Sequence, residues 1–194
     1  MYDESILEKH INHPKCIAVG ECGLDYFRLP EDEDEKIANV KKQKEVFIAQ
    51  INFAKKVNKP LIVHVRESSN DSRQILIDYN AKEVGGVLHC FNASEHLLPL
   101  SEHNFYFGIG GVVTFKNAKK LVEILPKIPK EKLIIETDGP YLTPHPFRGK
   151  RNEPYYTTLV ADKMAEILDI SREEIDNLTS KNAKKLFKEF SSLS

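Results

Sequence analysis

The sequence predicts an α/β fold built on a parallel sheet, and three observations predict it. Short apolar runs recur along the 194 residues, amphipathic helical patterns fill the intervals, and imidazole and carboxylate residues fall at the ends of the apolar runs. The runs are CIAVG (16–20), LIVHV (61–65), GVLHCF (86–91), FYFGIGG (105–111) and KLIIETD (132–138). Each is apolar on both faces and bounded by Gly, Pro or polar residues, as expected of strands covered on both sides. Strand–helix alternation implies right-handed crossovers. An open doubly wound sheet and part of a (β/α)8 barrel both satisfy it. The doubly wound form usually carries a glycine-rich phosphate turn after its first strand. AVGECGLDYF supplies Gly20 and Gly23 but no clear helix after them. Polar residues at several strand ends favour the barrel, where chemistry sits at the C-terminal rim.

The intervening helices follow from spacing. Ile37, Val40, Phe47, Ile51 and Ala54 recur at helical intervals with lysines opposite. The acidic EDEDE (31–35) before them reads as a solvated loop or a helix start. Asp71 or Ser72 is expected to cap a helix holding Ile75, Leu76 and Tyr79. Asn117 is expected to open one holding Leu121, Val122 and Leu125, which PKIP stops. After the last strand come a proline-rich loop, GPYLTPHPFRGKRNEP, and two helices, the second announced by the capping-box pair Ser171 and Glu174.

Composition bounds the function. With 41% hydrophobic residues and a net charge of −1, the chain reads as one domain without a general basic field for nucleic acid. No apolar run approaches the roughly 18 residues of a membrane span. MYDESILEKH is acidic and mixed, unlike a signal or transit peptide, so a cytoplasmic chain is expected. Three cysteines without a CxxC spacing argue against a disulfide frame, and Cys22 and Cys90 read as packing residues.

KPLIVHVRES (59–68) places His64 and Arg66 on one face of an apolar strand, where buried polar heads need partners. His64 is not alone. Glu21 follows CIAVG, His89 lies near the end of GVLHCF, and Asp138 closes KLIIETD. One strand histidine is ordinarily a hydrogen-bonded core residue. Four ligand types at four strand ends form a candidate divalent-metal site for Zn, Mn or Mg. His10, His13, His96 and His103 lie among Glu, Lys and Asn and read as surface residues, while His145 sits in a loop that would overhang the rim. That loop also carries Arg148, Lys150 and Arg151, either a solvated basic turn or, with Arg66, a grip on phosphate.

The segments AVGECGLDYFR, PLIVHVRES, GGVLHCFN, FGIGG and LIIETDGPYLTPHPFRGKRNEP together resemble the TatD family of metal-dependent deoxyribonucleases, from about Lys15 onward. The resemblance implies a (β/α)8 TIM-type barrel with a two-metal site that hydrolyses phosphodiester bonds in DNA. It implies that Glu21 is shared by both metals, that His64 and His89 hold the second, and that Asp138 holds the first. Asp138 and Glu21 are then the catalytic carboxylates, Asp138 accepting a proton from the attacking water. Arg66, Arg148 and Lys150 are the expected substrate-binding cations.

The family's first strand carries a His-x-His pair, which this sequence lacks. A barrel of eight units takes typically about 250 residues. The expectation is therefore about five of the eight βα units within a single domain spanning residues 1–194, with one metal ion rather than two and weak activity or none. The missing N-terminal segment, or another subunit, is the expected partner besides DNA. Two further readings stay open: a hydrolase of another ester or amide, misacylated tRNA included, and a non-catalytic fragment acting as a subunit. An open α/β domain whose ligand-like residues are coincidence is the bland remainder.

Overall fold

The computed structural model describes residues 2–188. The acidic run is a helix start. Asp32 accepts the Glu35 amide N–H at 3.0 Å and opens α2 (Glu33–Val57). Glu33, Asp34 and Glu35 lie in its first turn and Lys55 and Lys56 in its last, signs that both favour the helix dipole. Asn58, in the left-handed region at φ 52°, ends it. Phe47, Ile51 and Ala54 of its apolar stripe are fully buried, while Ile37 in its first turns stays 59% exposed. Before it lies α1 (Glu4–Ile11), capped by Asp3, a helix the strand pattern did not suggest.

Five strands form one sheet: β1 (Val19–Asp25), β2 (Leu61–Arg66), β3 (Gly86–Leu88), β4 (Phe105–Ile109) and β5 (Leu133–Ile135). All pair in parallel, in the order β1-β2-β3-β4-β5. Each strand lies beside the next, with no reversal of the kind that marks a doubly wound sheet. The sheet therefore advances in one direction, as barrel strands do.

The expected bounds shift at both ends. The first strand is Val19–Asp25 rather than 16–20, so Glu21 lies within it and not beyond it. Its glycines allow this, because β2's backbone comes close: a Cβ at Gly23 would sit 2.0 Å from the His64 carbonyl oxygen. The last strand stops at Ile135, and Asp138 stands in the following loop at φ 54°. β3 ends before His89, and Cys90 at φ 44° turns the chain away.

Helices α3 (Ser69–Asp78), α4 (Lys119–Ile124) and α5 (Thr157–Leu168) accompany α2 on one face of the sheet, while α6 (Arg172–Leu186) sets Ile175 in the core there and carries Leu186 to the other face. The helix expected to begin at Asp71 or Ser72 begins at Ser69, with Ser68 at its cap position. Asp71 instead accepts from the Tyr26 hydroxyl at 2.8 Å and pairs with Lys44 at 2.7 Å. The one expected to open at Asn117 has Ala118 at its cap. The core lies between sheet and helices. Leu61, Val63 and Val65 of β2 and Phe105, Phe107 and Ile109 of β4 enter it, with Phe91 and Phe107 edge to face at 4.9 Å. On the opposite face Ile62, Val87 and Tyr106 lie side by side in register, joined by Ile134 and covered by Leu186 of α6.

Ser171 and Glu174 form the capping box of α6 as expected. Ser171→Ala is expected to cost about 1 kcal/mol, read as a lowered urea midpoint at unchanged slope.

Candidate metal centre

Alternation along β2 sends Leu61, Val63 and Val65 into the core and leaves Ile62, His64 and Arg66 on the other face. The register carries this outward. Gly23 faces His64, the His89 amide donates to the Val63 carbonyl at 2.9 Å, and Gly108 faces Ile134. His64 and His89 thus rise beside one another on the sheet face turned away from the main core.

Glu21 reaches both. Its Oε1 lies 3.1 Å from His64 Nδ1 and 3.6 Å from His89 Nε2, while Asp138 Oδ1 lies 3.3 Å from the same Nε2. All four sequence-predicted ligands therefore meet. With Arg66 they line one cavity of about 620 Å³. Two ligands of one zinc ion, each about 2.1 Å from it at a tetrahedral angle, stand about 3.4 Å apart. Donor types and spacing fit a divalent ion. Among the described residues no three His, Cys, Asp or Glu side chains stand as a ready-made chelate. His64 Nδ1 and Glu21 Oε1 are instead within hydrogen-bond distance of each other, and binding an ion at such donors releases protons.

Two carboxylates that the strand-end pattern did not single out hold the imidazoles. Asp25 Oδ2 lies 3.1 Å from His64 Nε2. Glu136 Oε2 lies 2.8 Å from His89 Nδ1, and its Oε1 accepts the Cys90 amide N–H at 2.8 Å. The signal was present: Asp25 is four residues after Glu21 on one strand, and Glu136 is two before Asp138. The hydrogen bond to Glu136 raises the His89 pKa to about 9, against the opposing effect of burial and with help from the charges of Glu136, Glu21 and Asp138. Burial pushes the Cys22 and Cys90 thiols up to about 12, with neighbouring carboxylates adding to it, so neither is a thiolate at neutral pH.

The cations divide. Arg66 lines the cavity, its guanidinium 3.7 Å above the Phe27 ring. Arg148 and Lys150 do not line it. Arg148 stacks at 3.7 Å over Phe115, and the Lys150 ammonium lies 5.3 Å from the Phe147 ring. Both side chains are exposed, with aromatic rings beside their charges rather than the cavity. Lys120 of α4 and Asn117, just before that helix, line the cavity, with Val112, Leu121 and Leu142 as its apolar wall. His10, His13, His96 and His145 are exposed and His103 is partly so. Among the described residues no helix is long and apolar enough to cross a membrane.

The family described as TatD related DNase matches residues 2–188. The uncharacterized metal-dependent hydrolase YabD of Bacillus subtilis is 48% identical over 179 residues, covering 91% of this chain and 67% of its own length. The 3'-5' ssDNA/RNA exonuclease TatD of Escherichia coli is 34% identical, covering 95% of this chain and 70% of its own length. Among solved structures, the TatD homologue YJJV of Escherichia coli superposes with a TM-score of 0.82 at 27% identity, over 95% of this chain and 68% of that one.

Proposed function

Because this chain belongs to the TatD family of metal-dependent hydrolases, we propose that it acts on phosphodiester bonds in DNA. The observation that carries the reading is the meeting of Glu21, His64, His89 and Asp138 at one wall of a cavity that also presents Arg66 and Lys120. Those four would hold the ion, and their nitrogen and oxygen donors suit zinc, manganese or magnesium. A divalent ion bound there supplies activation of water and neutralisation of phosphoryl charge.

The chain's own groups do the rest. Asp138, partly exposed at the cavity wall, accepts the proton of the attacking water. Arg66 and Lys120 pair with the phosphate oxygens. Phe27 beneath the Arg66 guanidinium fixes where that charge points. Val112, Leu121 and Leu142 keep one wall dry, which strengthens each charge interaction. Activity of the chain by itself is low in this reading, because the sequence has no His-x-His pair to complete a second ion's ligands and two-metal chemistry stabilises attacking and leaving oxygens together.

The test is to titrate Mn²⁺ into chelator-treated chain and assay single-stranded DNA, misacylated tRNA and a simple aryl ester in parallel, with His89→Ala as the blank. About one bound ion per chain and slow DNA cleavage above the blank, weakening as salt rises, are expected. Absence of binding above the blank would overturn the reading. So would turnover of tRNA or ester with none of DNA.

A further inference from the structure

Glu136 occupies a seat made for it. Its two oxygens accept from two donors on neighbouring residues, His89 Nδ1–H and the Cys90 backbone N–H, each at 2.8 Å. Cys90, at φ 44°, is where the chain leaves β3, so its amide is aimed by the backbone rather than by a rotatable side chain. The carboxylate itself is mostly buried, 17% exposed beside a His89 that is 16% exposed. It fits there because β4 carries glycine beneath it. A Cβ on Gly108 would lie 2.5 Å from Glu136 Oε2 and 2.9 Å from its carboxyl carbon. At Gly110 the corresponding approach is an ordinary 3.5 Å, so the notch is at residue 108 alone.

We propose that Glu136 is the positioning residue of this site and that Gly108 is the notch that seats it, one carboxylate clamping both the His89 ring and the Cys90 backbone. The carboxylate accepts from the Cys90 amide and from Nδ1, which leaves Nε2 as the nitrogen turned toward Glu21 and Asp138. Outer carboxylates of this kind orient a histidine ligand and raise its basicity. This rests on the metal-site reading for its consequence, but the clamp is a property of the chain alone. Neither Gln nor Asp replaces Glu136 fully. Gln keeps one acceptor oxygen for two donors, and Asp is one methylene too short to reach both.

Two measurements test it on the full chain. The first is the exchange of the His89 Nδ1–H proton, read by nitrogen-15 NMR in metal-free protein. Wild type is expected to show a protected proton, Glu136→Ala none, and Glu136→Gln an intermediate rate. The second is Mn²⁺ affinity, expected to fall about 10- to 100-fold in Glu136→Ala. Gly108→Ala is expected to reproduce both losses with Glu136 still present, and to add little in the Glu136→Ala background, where the carboxylate is gone and the Leu88 carbonyl oxygen at 3.2 Å is the tight neighbour left. An unprotected Nδ1–H in wild type, or full additivity of the two substitutions, would overturn the clamp. If wild type binds no Mn²⁺, the metal reading fails while proton exchange and additivity still decide the clamp.

Discussion

Gly23→Ala is expected to cost about 3 kcal/mol or more of stability and to separate Glu21 from His64. Gly23 sits at φ +140°, where a side chain is strained whatever the space around it. The added Cβ would meet the His64 carbonyl oxygen at 2.0 Å and the carbonyl carbon at 2.9 Å, and both are backbone atoms. No rotamer change relieves that contact. β1 must move off β2, and Gly23 opposite His64 is the register that brings Glu21 Oε1 within 3.1 Å of His64 Nδ1. Gly149 is the control, since it also has positive φ, at +84°, but nothing lies within 4 Å of its Cβ position. Gly149→Ala is expected to cost only backbone strain, about 1 kcal/mol. Urea unfolding of both variants, with metal affinity alongside, separates strain from collision. Equal losses in the two would refute the close approach of β1 to β2.

The same glycine marks where sequence reasoning stops. The apolar run 16–20 looked like the first strand, yet the strand begins at Val19 and continues through Gly20 and Gly23. Local propensity places neither glycine in a strand. They are there because another strand's backbone lies against them, a non-local fact. β2 was legible because its alternation is unbroken, and the start of α6 because Ser171 and Glu174 lie within one turn. The four ligands were legible because imidazole and carboxylate stand out beside apolar runs. Asp25 and Glu136 did not, since an acid near a strand end looks like a solvated one until its imidazole partner is seen. Arg148 and Lys150 were visible as charge, but only the fold shows Phe115 and Phe147 beside them.

Glu21→Gln is expected to abolish metal-induced stabilisation while leaving the metal-free fold almost unchanged. One oxygen of Glu21 lies between two imidazoles, so the substitution exchanges the shared acceptor for a neutral amide of the same shape. The side chain is about half exposed, and loss of its pairing with His64 costs at most about 1 kcal/mol. The ligand role is a different quantity. An ion at 100 times its dissociation constant stabilises the folded chain by about 2.7 kcal/mol. Loss of a direct ligand should exceed the roughly 100-fold cost of removing an outer partner, which cancels that gain. Thermal unfolding with chelator and with Mn²⁺ reads both terms on one sample. In wild type the two curves should separate, and in Glu21→Gln they should coincide near the wild-type chelator curve. A metal-dependent rise that survives the substitution would remove Glu21 from the ligand set. A collapse of the chelator curve would mean that the carboxylate holds β1 to β2 rather than the ion.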